Sequence, residues 1–317
     1  MKLSQLAVAA DLALGVGVAQ ANTVNIAFDP TGNAGSTGSA ISVSTFDWAP
    51  DSTLSLGVGN PTSLSIGTVF QTYTHAILGT FIPANIPSGG MATGTQLTMV
   101  AGFQEKVVAG APGTAIFQTV AGGDNFFQIW ANQAGAPADQ NSGTGYKSGT
   151  MILSGSILPG GGANFSVFSL NGGALDQHLS NQWTGVNTIS GGGLALLDIQ
   201  VNMASLDHNY FLNPFTNVKL FMPTNSSNAD PFIQADPSHG LDTSSGFLCD
   251  TQGGHVCPGG STPFSVGSTN GLSGPDFLFQ SDASSSFTVP EPASLALLGL
   301  GLGALGLARR RKKGNVQ

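Results

Sequence analysis

The fold class is decided by the stretch Leu197-Asp198-Ile199-Gln200-Val201-Asn202-Met203, in which apolar and polar residues alternate without a break. Successive side chains of a β-strand point to opposite faces, so this pattern predicts a strand with one buried face and one solvent face. The same alternation recurs at Leu97, Met99, Ala101 and Phe103. The sequence therefore predicts strands that are buried on one side.

Short apolar runs separated by turn residues extend this pattern over most of the chain. Further strands are predicted at residues 23–28, 40–48, 64–73, 115–120, 126–130, 151–158, 164–170, 218–222 and 277–280. Turns are predicted at Asp29-Pro30-Thr31-Gly32-Asn33, Gly160-Gly161-Gly162, Asn171-Gly172-Gly173, Gly191-Gly192-Gly193 and Asn270-Gly271. No amphipathic helical period persists between residues 22 and 289, apart from short turns near Ala134 and Asp176. The sequence predicts an all-β fold, a β-sandwich that is jelly-roll-like or irregular.

The charge of this body is strongly negative. Residues 22–289 contain three lysines, no arginine and fifteen acidic residues, which gives a formal charge of −12. Without a basic patch the body is not expected to bind nucleic acid or anionic lipid headgroups. Its carboxylates are suited to engage divalent cations in a polysaccharide matrix.

The two ends of the chain carry export signals. Residues 1–21 begin with Met1-Lys2, continue with an apolar run and end with Ala19-Gln20-Ala21, which predicts a signal peptide cut after Ala21. Asp11 interrupts the apolar run, so an uncleaved N-terminus is the alternative. At the other end, the uncharged residues 293–308 precede Arg309, Arg310, Arg311, Lys312 and Lys313. A helix of that length measures roughly 24 Å at about 1.5 Å per residue, so it can cross a membrane only marginally. The basic cluster is expected to stay in the cytoplasm.

The tail from Val289 to Lys313 resembles the PEP-CTERM sorting signal of Gram-negative bacteria that produce exopolysaccharide. Pro290, Glu291 and Pro292, the apolar helix, and the cluster that begins with Arg309, Arg310 and Arg311 stand in the expected order. The resemblance implies processing near the triplet by exosortase during export; an ordinary single-pass anchor is the alternative. It divides the chain into a signal peptide at 1–21, an extracellular domain at 22–289 and a sorting signal at 290–313. The implied location is an inner-membrane-anchored precursor, then the cell surface or extracellular matrix.

The body itself resembles flocculation-associated PEP-CTERM proteins of floc-forming bacteria. The matching segments are Phe28-Asp29-Pro30-Thr31-Gly32, Ala101-Gly102-Phe103-Gln104-Glu105, Asn125-Phe126-Phe127-Gln128-Ile129-Trp130 and the stretch from Asn270 to Asp282. The resemblance brings no catalytic residues. It implies a matrix protein that helps cells aggregate through extracellular polysaccharide.

The chain has two cysteines, Cys249 and Cys257. In an exported protein a close pair predicts a disulfide. The alternative makes Cys249, His255 and Cys257 metal ligands, but this set lacks the fourth ligand of a structural zinc site.

No catalytic constellation stands out, and we predict no catalytic residue, metal site or cofactor. Glu105, the only glutamate of the body, is interpreted as a solvated charge at a strand end, and the five histidines as loop or surface residues. Asp230, Asp236, Asp242 and Asp250, followed by Asp276 and Asp282, offer oxygen ligands of the kind that calcium takes from loops, but their spacing does not match an EF-hand loop. Asp230-Pro231 and Asp236-Pro237 are just as well explained as turn initiators. The phenylalanines Phe28, Phe46, Phe70, Phe103, Phe117, Phe127 and Phe165 are predicted core residues.

Two hypotheses for function follow. The first is an exported, non-enzymatic matrix protein that promotes floc or biofilm formation with extracellular polysaccharide. The second is a secreted glycan-binding lectin or glycan-active hydrolase on a β-sandwich, which would need a cleft with paired carboxylates for hydrolysis.

Overall fold

Nearly all of the regular structure is β-strand. The computed structural model describes residues 23–35, 39–83, 95–132, 137–140, 143, 145–175, 185–226, 249–250 and 263–288. Within them Val24–Phe287 forms one compact unit. The predicted signal peptide at 1–21 and the predicted sorting signal at 290–313 lie outside the described residues. None of the helices in the described ranges is long and apolar enough to cross a membrane.

The described ranges contain sixteen strands and one 3-10 turn, Met203–Ser205. The strands are β1 (Ile26–Phe28), β2 (Ile41–Val43), β3 (Thr45–Trp48), β4 (Asp51–Leu56), β5 (Val69–Ile82), β6 (Gln96–Ala111), β7 (Thr114–Val120), β8 (Phe126–Asn132), β9 (Thr150–Ile157), β10 (Gly162–Ala174), β11 (Asn187–Val201), β12 (Asn217–Asn225), β13 (Cys249–Asp250), β14 (Pro263–Phe264), β15 (Phe277–Ser281) and β16 (Ser284–Thr288). The prediction of an all-β fold is confirmed.

Twelve strands form one large sheet in the order β10-β7-β6-β8-β9-β11-β12-β15-β4-β5-β3-β16. Further pairings join β10 to β11, β6 to β5 and β12 to β16, so the sheet closes on itself. The neighbours along β5, β6 and β11 are antiparallel. The closure is possible because the long strands change partner along their length: β6 pairs with β8 from Gln96 to Gly102 and with β7 from Gln104 to Ala111.

Phenylalanine rings fill much of the enclosed space. Phe28 and Phe46 meet edge to face with centroids 5.0 Å apart, and Phe46 contacts Phe81 at 5.2 Å and Phe287 at 5.0 Å in the same way. Edge-to-face pairs add to the stabilisation that burial of the rings supplies. All seven phenylalanines that the alternation predicts as core residues are buried.

Two predicted turns are in fact parts of strands. Asn171-Gly172-Gly173 lies within β10 and Gly191-Gly192-Gly193 within β11. The glycines are needed for close approach of the two strands: a Cβ added to Gly193 would lie 1.9 Å from the carbonyl oxygen of Asn164. Here glycine marks strands in tight contact instead of a chain reversal.

One predicted strand end needs correction, one strand was missed, and two predicted turns are confirmed. The strand predicted to end at Met203 ends at Val201, because Met203 begins the 3-10 turn and is exposed. β4 was not predicted, since its residues are mostly polar yet buried. The turns at Gly32 and Gly271 are confirmed, and both glycines have positive φ.

Candidate functional site

The sheet encloses a cavity of about 50 Å³. Eight strands contribute to its wall: β4, β5, β6, β7, β10, β11, β12 and β15. The loop between β4 and β5 adds Val58, Pro61 and Leu64. Most of the wall is apolar and includes six phenylalanines, Phe70, Phe103, Phe117, Phe165, Phe277 and Phe279. The cavity follows from the alternation, because each strand sends every second side chain inward.

Among the described residues that line the cavity, Glu105 is the only one with an ionisable side chain. The interpretation of this residue as a solvated strand-end charge is wrong: Glu105 lies within β6 and is buried. Its Oε2 accepts a hydrogen bond of 2.8 Å from the Thr72 hydroxyl, which lies 3.0 Å from the hydroxyl of Ser55. A row of hydroxyl groups from β4 and β5 therefore ends at one carboxyl group inside an apolar space.

The environment of Glu105 changes its proton affinity. Burial raises the pKa of Glu105 to about 7, against the smaller opposing effect of the Thr72 hydrogen bond. A second polar group on the cavity wall, Oγ1 of Thr224, is buried and has no hydrogen-bond partner within the described ranges. Buried polar atoms usually find a partner, so the Thr224 hydroxyl is an exception on this wall.

A second polar cluster is fully enclosed and belongs to the core. Asp51 Oδ2 accepts a hydrogen bond of 2.5 Å from the Tyr146 hydroxyl, and Asp51 Oδ1 lies 3.2 Å from His75 Nδ1. The rings of His75 and Tyr146 pack with centroids 3.9 Å apart. The prediction of His75 as a loop or surface residue is wrong, because it lies in β5 with its side chain fully buried. The three side chains are closed off from substrate. Their contacts tie β4 and β5 to the segment around Tyr146.

The first predicted turn is organised by one carboxylate. Asp29 accepts hydrogen bonds from the backbone N–H of Thr31 at 2.8 Å, Asn33 at 3.3 Å and Gly35 at 2.8 Å. Burial opposes ionisation of Asp29, but hydrogen bonds from Thr31, Gly35 and Ser39 outweigh it, so the pKa is lowered. The carboxylate therefore holds the loop in shape, and its oxygens are already occupied by hydrogen bonds from the loop.

The outward side chains of β7, β10, β11 and β12 form a continuous surface, which we call the outer face. Cross-strand pairing arranges it in three rows. The rows are Gln118-Gly162-Leu196-Phe221, Ile116-Asn164-Leu194-Pro223 and Thr114-Ser166-Gly192-Asn225. At usual strand and residue spacings the outer face measures roughly 14 Å on each side.

None of these twelve positions carries a charge, although the body has a formal charge of −12. Large apolar side chains stand among amides and hydroxyls: Leu196 is 53% exposed and Phe221, directly opposite, is 42% exposed. Phe168 of β10 is 74% exposed and its ring lies over Gly192. The charged pair Asp198 and Lys219, 3.3 Å apart, marks the next row.

The sequence analysis missed the outer face. Phe221 falls between Leu220 and Met222, which point inward, and its phase along β12 is that of exposed Lys219. The signal was therefore available in the alternation of β12, but the sequence analysis did not follow it to the outward phase of this strand.

Several predicted site residues cannot be placed. The sorting residues Pro290, Glu291, Pro292, Arg309, Arg310 and Arg311 lie outside the described residues. The backbone of Cys249 is in β13, which pairs in parallel with β14, but Cys257 lies outside the described residues, so the disulfide stays a prediction. The aspartates at 230, 236 and 242 also lie outside them. Asp276, which follows in the same series, binds backbone N–H groups of Gly57 and Ser265.

Comparison with known proteins identifies the tail. A family model of the PEP-CTERM protein-sorting motif matches residues 288–312, which confirms the resemblance seen in Pro290, Glu291 and Pro292. The motif implies an exported protein that is anchored through its C-terminus, processed by exosortase and then located at the surface. No curated protein and no solved structure is significantly similar to the chain.

Proposed function

We propose that this PEP-CTERM protein is a non-enzymatic matrix protein that promotes cell aggregation by binding extracellular polysaccharide on its outer face. The motif places the chain among exported proteins that exosortase processes. The body's resemblance to flocculation-associated PEP-CTERM proteins supports a role in flocs or biofilms. The structural support comes from the chemistry of the outer face.

The observation that carries the proposal is the uncharged, mixed character of twelve neighbouring positions on an acidic protein. A polysaccharide presents apolar C–H faces beside hydroxyl groups. The side chains of Leu196 and Phe221 offer apolar area to the C–H faces. The amides of Gln118 and Asn164 offer hydrogen bonds to the sugar hydroxyl groups. No charged side chain of the outer face has to lose its water when the polymer binds. Such desolvation costs free energy when no charged partner replaces the water.

The non-enzymatic part of the proposal is supported by the cavity wall. Hydrolysis by the usual glycosidase mechanism uses two carboxyl groups that flank the bond. Among the residues that line the cavity, Glu105 is the one carboxyl group. The outer face supplies contacts for binding, and its three rows contain no carboxyl group at all.

The test removes apolar area from the outer face without adding charge. Leu196→Thr combined with Phe221→Thr keeps β-forming residues in both strands, and Ile66→Thr is the control, because Ile66 is 69% exposed in the loop before β5. We expect the double variant to bind purified exopolysaccharide about tenfold more weakly in co-sedimentation, equivalent to about 1.4 kcal/mol. The control should bind like the wild type.

The cellular readout separates adhesion from synthesis. Cells that produce the double variant should settle more slowly than wild-type cells while they make the same amount of polysaccharide. If the double variant and the Ile66→Thr control bind polymer equally well, the outer face is not the binding site. If polymer yield falls together with settling, the protein acts in synthesis, and the adhesive function is wrong.

A further inference from the structure

The described part of the cavity wall combines aromatic rings with one acid, Glu105, and two positions of the outer face, Asn164 and Leu194, also line it. Phe70 and Phe117 meet edge to face at 5.3 Å, and Phe165 and Phe277 do so at 5.2 Å. The faces of aromatic rings carry partial negative charge, which attracts cations. Glu105 adds a carboxyl group to the same space.

The polar groups of the wall are arranged to accept hydrogen bonds from an occupant. Glu105 has one partner among the described residues, the Thr72 hydroxyl, which leaves acceptor capacity on its carboxyl group. Oγ1 of Thr224 is buried on the same wall and has no partner there.

The size of the cavity limits the occupant. The cavity of about 50 Å³ is small and favours a compact occupant.

We propose that the cavity binds a short organic ammonium ion, with Glu105 as its counter-ion. The ammonium N–H groups would donate to Glu105, and the alkyl part would pack against Phe70, Phe165 and their ring partners. An anion is excluded by the carboxylate of Glu105. The formal charge of −12 on the body raises the local concentration of cations of every kind.

The test compares two ligands of the same size in which only the charge differs. Ethylammonium and ethanol each have three non-hydrogen atoms, and saturation-transfer NMR at pH 8 in an amine-free buffer measures weak binding to the purified exported protein. We expect ethylammonium to bind at least tenfold more tightly than ethanol. In Glu105→Gln this preference should disappear, whereas Asp198→Asn, which removes one exposed carboxylate of equal charge, should keep it.

A cavity-filling variant tests the location without touching the acid. Ala163 lines the cavity, and Ala163→Leu should abolish ethylammonium binding while Glu105 stays in place. Ethanol binding as tightly as ethylammonium would overturn the proposal. Unchanged ethylammonium binding in Ala163→Leu would overturn it as well, even if Glu105→Gln failed to fold.

Discussion

The buried carboxyl group of Glu105 is expected to make folding stability depend on pH with an unusual sign. Its pKa is raised from 4.5 to about 7 in the folded protein, so the folded state holds this proton more tightly than the unfolded state. The stabilising effect is fully present below pH 4.5 and is lost as pH rises through 7. At about 1.4 kcal/mol per tenfold change in proton affinity, the loss amounts to about 3 kcal/mol.

Glu105→Gln isolates this effect because glutamine has nearly the same shape and does not titrate. The free energy of unfolding, measured by urea denaturation from pH 4.5 to pH 8, should fall for the wild type relative to Glu105→Gln by about 3 kcal/mol. The other titrating groups are common to both proteins and cancel in the difference. Asp198→Asn is the control, since it removes one exposed carboxylate and leaves Glu105 in place.

The opposite trend would refute this account of the interior. A stability difference that is constant from pH 4.5 to pH 8 means that Glu105 is solvated and titrates normally, as the sequence alone suggested. A wild type that gains stability over this range relative to Glu105→Gln would mean that a cation inside the folded protein holds the carboxylate charged.

Four further predictions concern other parts of the molecule. Alkylation without reductant should leave Cys249 and Cys257 unmodified in the exported protein, and reduction should cost about 2 to 3 kcal/mol of stability. Glu291→Ala should accumulate in the membrane fraction at the larger, unprocessed size, as immunoblotting of fractions would show. A chelator should loosen flocs gradually and calcium restore them, whereas one tight calcium site found by calorimetry would contradict diffuse bridging. Gly193→Ala should cost about 1 to 3 kcal/mol in urea denaturation, with Gly162→Ala, where a Cβ meets nothing within 4 Å, as the neutral control.

Period-two alternation predicted most of the strands because it depends only on local geometry. Leu197, Ile199 and Val201 are buried, and Asp198 and Gln200 are exposed, as the pattern requires. The strand class and the phenylalanine core followed from the same rule. The tail motif was equally accessible, since its parts are contiguous in sequence.

The interior polar groups could not be predicted in this way. Glu105 and His75 are buried by partners far away in sequence: Thr72 is 33 residues from Glu105, and Asp51 precedes His75 by a loop and most of two strands. Residue type favoured the surface for both, and only closure of the sheet places them inside. Glycine clusters misled the analysis for a related reason, because close contact between β10 and β11 selects the same residue as a turn.

The two proposed sites are opposite sides of one four-stranded layer. β10 sends Phe165 toward the cavity and Asn164 and Ser166 toward the outer face, and β12 sends Met222 inward and Phe221 outward. Since side chains alternate, a shift of one residue in pairing would exchange the two sets and destroy both surfaces together. The close contact at Gly193 requires glycine in the observed register, because a Cβ there would lie 1.9 Å from the carbonyl oxygen of Asn164. Glycine therefore permits the close pairing of β10 and β11, which carries the uncharged outer face on one side and part of the cavity wall on the other.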